Sequence, residues 1–104
     1  MKAQIKSGEI EAGDFIISGG NYGHEFGFYR GTGRGTLQYY SVRYLSCKLE
    51  NPKVNWSISF MGGNYGYKRL AKYHPDLITD QELRKEVDRA IEYIRQSKIL
   101  PVKY

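Results

Sequence analysis

Between Asn55 and Met61 apolar and polar positions alternate without a break. Trp56, Ile58 and Phe60 fall on one side of an extended backbone, and Ser57 and Ser59 on the other. Alternation with a period of two marks a strand that buries one face. The same rule reads "HEFGFYR", His24 to Arg30, as a half-buried strand with Phe26 and Phe28 on one side and Glu25 and Tyr29 on the other. "IEAGDFIIS", Ile10 to Ser18, reads as a Gly-Asp turn feeding a short apolar strand. Thr36 to Leu45, "TLQYYSVRYL", is dense in β-branched and aromatic residues and is also read as strand. Its two faces are Leu37, Tyr39, Ser41, Arg43, Leu45 and Gln38, Tyr40, Val42, Tyr44, so one tyrosine set must be core. "GTGRG", Gly31 to Gly35, is the turn before it, and "ENPK", Glu50 to Lys53, breaks the pattern after it.

Past Pro75 the period lengthens. Leu83, Val87, Ala90, Ile91 and Ile94 recur at helical spacing, with Arg84, Lys85, Glu86, Asp88, Arg89, Glu92 and Arg95 on the rest of the circumference. A single apolar stripe predicts a helix over about 79–97 that docks one face and solvates the others. Thr79 and Glu82 have the spacing of a capping box at its start. Glu82 with Lys85, Glu86 with Arg89 and Glu92 with Arg95 stand three apart, as local ion pairs do. "ILPVKY" suggests a short terminal strand over 99–103, at an edge where Pro101 is tolerated.

Glycine supports this division, because all twelve glycines fall at or before Gly66. Glycine suits tight turns and weakens helices. The strand-rich part is therefore 1–73, and the helical end follows. A length of 104 residues fits one domain over 1–104. The expected fold class is α+β, a small, strongly bent antiparallel sheet or SH3-like partly open barrel of about five strands, with one C-terminal amphipathic helix closing one end. The opening "EAGDFII" and the glycine-punctuated strands after it resemble the start of many SH3-like barrels, a resemblance that covers about half the chain and implies fold alone.

Charge adds a location. The net charge is +5. Residues 1–25 net −2, residues 26–73 net +7 and residues 74–104 net zero. A cationic middle attracts phosphate or an acidic protein surface over roughly a Debye length, about 8–10 Å. Cys47 is the one cysteine, which rules out an internal disulfide and any zinc site built on several thiols. No secretory signal or membrane span is legible, so a cytoplasmic protein without membrane contact is expected.

The pentapeptide Gly-Gly-Asn-Tyr-Gly occurs twice, at 19–23 and 62–66, each time after an apolar run. Glycine and asparagine suit the left-handed backbone of a hairpin turn, but a turn does not require the tyrosine. Tyr22 and Tyr65 are therefore expected at loop tips, beside Asn21 and Asn64, where a ring can stack and a hydroxyl can bond. Around them lie Arg30, Arg34, Arg43, Lys68 and Arg69, interleaved with Tyr39, Tyr40, Tyr44 and Tyr73. Charge that tracks a phosphodiester backbone and rings that stack on bases are what nucleic-acid binding needs. These residues predict a non-enzymatic module for nucleic acid or a nucleotide-like phosphate ligand, with no cofactor and no metal.

Other readings compete with it. Tyrosine, arginine and glycine loops equally suit a small phage- or plasmid-type inhibitor that binds and blocks a host protein. His24 and His74 admit a metal-independent ribonuclease as a third reading. "GTGRGT" is not a dinucleotide fingerprint, because strand is expected on both sides of it where the fingerprint needs a helix. Sheet edges leave room for a homo-oligomer.

Overall fold

The computed structural model of the chain describes residues 10–20, 23–33, 36–53, 60–61 and 71–104. The first described turn depends on Gly13, whose φ of 93° is open to glycine and costly for other residues. The Asp14 N–H donates to the Glu11 carbonyl at 2.9 Å, and the Glu11 N–H donates to the Asp14 carboxylate at 2.7 Å. The turn delivers the chain into β1, Phe15–Gly20. β1 pairs antiparallel with β2, Gly23–Gly33, which pairs antiparallel with β3, Thr36–Ser41. Two short strands flank this meander. β4, Phe60–Met61, lies against β3, and β5, Ala71–Lys72, lies against β1.

The sheet order is β4-β3-β2-β1-β5. It is open among the described strands, with β4 and β5 at opposite edges, so the barrel alternative is not formed by these residues. The strand expected over Asn55 to Met61 is described only at Phe60 and Met61, and the rest of it lies outside the described residues.

Register places the faces. Phe15 is opposite Phe28, and Phe28 is opposite Tyr40, so these three share one side. Ile16 is opposite Gly27, Gly27 is opposite Ser41, and Tyr29 is opposite Tyr39 on the other side. Ile16, Tyr29 and Tyr39 are buried there, outside the cluster formed by the first face. The Tyr39 ring crosses Gly27, where a Cβ would overlap Tyr39 Cδ2. Glycine is needed at position 27 for that close approach, not for its backbone angles.

The expected strand over Thr36 to Leu45 ends early, because Val42–Glu50 is a helix, α1. Ser41 sits in extended geometry at its N-cap and accepts the Tyr44 N–H at 3.0 Å on its hydroxyl, satisfying one donor that the first turn leaves over. Val42, Leu45 and Ser46 are then buried at helical spacing. Packing of that stripe outweighs the weak strand preference of Val42 and Tyr44. The Pro52 break expected in the chain thus follows a helix and not a strand. Asn51 caps α1 through its N–H to the Cys47 carbonyl.

Pro75–Leu77 forms a single 3-10 turn, and α2 runs Gln81–Ser97. Its N-cap is Asp80, whose carboxylate accepts the Leu83 N–H at 2.9 Å, and not Thr79 as the capping-box spacing suggested. Val87, Ala90, Ile91 and Ile94 carry the predicted stripe into a core with Phe15, Phe28, Val42, Leu45 and Leu100. Both helices therefore pack on the same face of the sheet. Glu82–Lys85 and Glu92–Arg95 pair as expected, at 3.7 Å and 3.8 Å. Arg89 instead reaches across to α1, where its Nε lies 2.7 Å from the Glu50 carboxylate and donates to the Ser46 hydroxyl at 2.8 Å.

No strand forms over 99–103. Lys98 closes α2 in left-handed geometry, φ 57°, and the following tail folds back over the first turn. Leu100 enters the core, and the Pro101 carbonyl sits where a Cβ on Gly13 would come within 2.7 Å of it. The Tyr104 hydroxyl accepts the Phe15 N–H at 3.3 Å. Side-chain anchoring replaces ladder pairing, so the proline's missing donor is never required.

Candidate functional site

The register between β2 and β3 slips at one place. Tyr29 pairs with Tyr39 and Gly31 with Gln38, which leaves Arg30 as an extra residue in a bulge. Gly31, at φ 137°, supplies backbone that other residues rarely adopt. Arg30 is exposed, and its guanidinium carbon lies 5.1 Å from the centre of the Tyr40 ring. This is cation–π geometry, worth about 0.5–1 kcal/mol at an exposed position. Tyr40 in turn lies nearly parallel to Tyr44, with centroids 6.0 Å apart and planes 14° from each other. Tyr40 is the penultimate residue of β3 and Tyr44 belongs to the first turn of α1, so the strand-to-helix junction at Ser41 creates this pair.

Arg30, Tyr40 and Tyr44 form a short ladder. Burial raises the Tyr44 phenol above its ordinary pKa, and the neighbouring Tyr93 and Tyr40 phenols add to the effect. Its hydroxyl is therefore neutral at physiological pH and adds no negative charge beside the cation. Tyr93 contributes from α2, the one member of the group that lies far away in sequence. Arg43 leaves α1 exposed, one residue before Tyr44.

Ion pairing separates these arginines from the other described ones. Arg84 is paired with Asp76 and Asp88, Arg89 with Glu50, and Arg95 with Glu92. Among the described residues neither Arg30 nor Arg43 has a carboxylate partner. Their charge is left for something outside this set.

A wider groove of about 520 Å³ runs between α2 and the tail, lined among others by His74, Arg84, Glu92, Arg95 and Lys103. Its cations are already engaged. Arg84 holds the Pro75 carbonyl as well as its two carboxylates, Arg95 holds the Tyr104 carbonyl, and Lys103 holds Glu11 and Asp14 at 3.2 Å and 2.6 Å. The groove is consequently a set of closed local pairs, and it ranks below the ladder as a site.

Of the residues picked out from the sequence, Arg30 and Arg43 are described. Asn21, Tyr22, Arg34, Asn64, Tyr65, Lys68 and Arg69 lie outside the described residues, and with them the whole second Gly-Gly-Asn-Tyr-Gly segment; of the first, Gly19 and Gly20 end β1 and Gly23 opens β2, with Gly20 paired to Gly23. His74 caps the 3-10 turn, accepting the Asp76 N–H at 3.1 Å on Nδ1, and its ring meets Tyr104 edge-on at 5.6 Å. That capping role is structural. Tyr93 was not singled out from the sequence, although its place three residues after Ala90, beside the apolar stripe, is the available signal. Among the described residues no cluster of His, Cys, Asp and Glu could hold a metal ion, and no helix is long and apolar enough to cross a membrane. No family model, curated protein or solved structure gives a significant match to the chain.

Proposed function

We propose that the protein is a non-enzymatic binding module for nucleic acid or a nucleotide-like phosphate ligand, working through its basic, tyrosine-rich middle segment. The observation that carries this reading is the Arg30–Tyr40–Tyr44 ladder, a guanidinium without a carboxylate partner among the described residues and supported on stacked rings. A guanidinium in that setting keeps its fork of N–H donors for phosphate oxygens, while the ring beneath restricts its motion. The +7 charge of residues 26–73 supplies the long-range attraction. Asn21, Tyr22, Arg34, Asn64, Tyr65, Lys68 and Arg69 remain the other proposed contacts.

The test is fluorescence anisotropy with short labelled DNA and RNA at about 50 and about 200 mM salt. Each phosphate neutralised contributes a slope of about −0.7 to −0.9 in log affinity against log salt, so four contacts weaken binding by roughly 50- to 150-fold across that range. Arg30→Ala should reduce the slope by about one contact. Absence of binding to any of these probes at the lower salt removes the reading.

A further inference from the structure

We infer that the Arg30–Tyr40–Tyr44 ladder selects single-stranded over double-stranded nucleic acid. This rests on the nucleic-acid reading above and goes further, by naming which form of the polymer the geometry accepts. Three features of the ladder carry it.

The first is how Arg30 is held. Its guanidinium carbon lies over the Tyr40 ring, 5.1 Å from the centroid, and the residue is exposed. A planar guanidinium supported on a ring and open to solvent can stack on a base, while its edges donate to the adjoining phosphate. In a duplex each base has both faces covered by its neighbours, so such a plane finds a partner only where a base is unstacked.

The second is where the rings sit. Tyr40 and Tyr44 are both half-buried and pack against the core, which fixes them to rigid elements on either side of Ser41. A ring anchored in this way cannot be driven between base pairs as an intercalating wedge. It can hold the guanidinium in place for a base that approaches already unstacked.

The third is the bulge. Because Arg30 is the residue without a cross-strand partner, its side chain is displaced from the regular ladder of β2. Direct reading of a duplex edge calls for an arginine extended into the groove, and this guanidinium is engaged over a ring instead.

The experiment uses the full chain with a labelled single strand, the duplex made from it, and a free nucleoside triphosphate as competitor, all at the same low salt. Single strand should bind at least about tenfold more tightly than duplex. The triphosphate should compete only weakly, because it offers one base and no continuing backbone. Arg30→Lys keeps the charge and removes the plane, and the exposed position leaves the core untouched. It should weaken single-strand binding about fivefold and leave duplex binding within about twofold. Tyr40→Leu, checked for a native circular dichroism spectrum, should give a similar or larger loss on single strand only. Equal affinity for the two forms, or equal losses on both in Arg30→Lys, overturns the inference while leaving the nucleic-acid reading in place. Failure of every nucleic acid to bind overturns both.

Discussion

Replacing Asp14 by asparagine tests how the tail is fastened. The Asp14 side chain is only 4 % exposed. It accepts the Glu11 N–H at 2.7 Å and the Lys103 ammonium at 2.6 Å, and Lys72 stands 3.6 Å away. Burial alone would push the carboxyl's pKa up. The hydrogen bonds from Lys103 and from the Glu11 N–H, with the charges of Lys103 and Lys72, outweigh it, so the native pKa lies below 3.8. The substituted amide keeps an acceptor for the Glu11 N–H and loses the ionic bond. A hydrogen bond to a charged group is worth about 1.5–3 kcal/mol. Lys103 retains 29 % side-chain exposure, so water recovers part of this. We expect Asp14→Asn to cost about 1.5–2 kcal/mol at pH 7, or a fall in Tm of roughly 6–16 °C for a domain of this size.

The pH dependence fixes the cause. A carboxyl whose native pKa is depressed contributes stability that is fully present above the unfolded value and is lost as pH falls through the native one. The difference between wild type and Asp14→Asn should therefore be equal at pH 7 and pH 5. At pH 3 it should be smaller by up to about 1 kcal/mol, because the unfolded chain has by then taken up the proton. Urea denaturation of both proteins at the three pH values measures it. An undiminished difference at pH 3, or none at pH 7, would refute the argument that an ionised Asp14 fastens the tail.

Two further substitutions test the fold. Gly27→Ala forces a methyl into the Tyr39 ring and to within 2.7 Å of the Tyr40 carbonyl, and overpacking of this kind costs about 1–3 kcal/mol; thermal unfolding should show the loss, with a changed near-ultraviolet tyrosine signal. Asp80→Ala should cost about 1 kcal/mol through loss of the α2 cap, and Thr79→Ala less than about 0.5 kcal/mol. The reverse ranking in chemical denaturation would restore threonine as the cap.

Helix α2 was legible because its stripe, its glycine-poor composition and its position after Pro75 agree. The turn at Gly13 and the faces of Phe26 and Phe28 were legible for the same reason, that local chemistry and burial favour one answer. Helix α1 was not. "VRYLSC" carries a β-branched residue and a tyrosine, and read with a period of two it continues β3 smoothly. The deciding facts are tertiary: burial of Val42, Leu45 and Ser46, and the pairing of Arg89 with Glu50 from across the molecule. Missing α1 also hid the best part of the candidate site. Tyr40 and Tyr44 are four apart, which puts them on the same face of a strand but far from contact there. They meet only because the backbone changes period between them. Arg30 and Arg43 were visible through charge, but the lack of carboxylate partners among the described residues that distinguishes them from Arg84, Arg89 and Arg95 belongs to the fold.

The slip in register at Arg30 has a genetic corollary. Were codon 30 deleted, the two strands would zip without interruption, the local coiling of the hairpin would relax, and its tip would swing to a new bearing. Position 30 thus sets the hairpin's shape as well as carrying a cation. Its side chain can be exchanged for another, whereas the loss of its peptide unit would redirect everything beyond Tyr29 in that arm of the sheet.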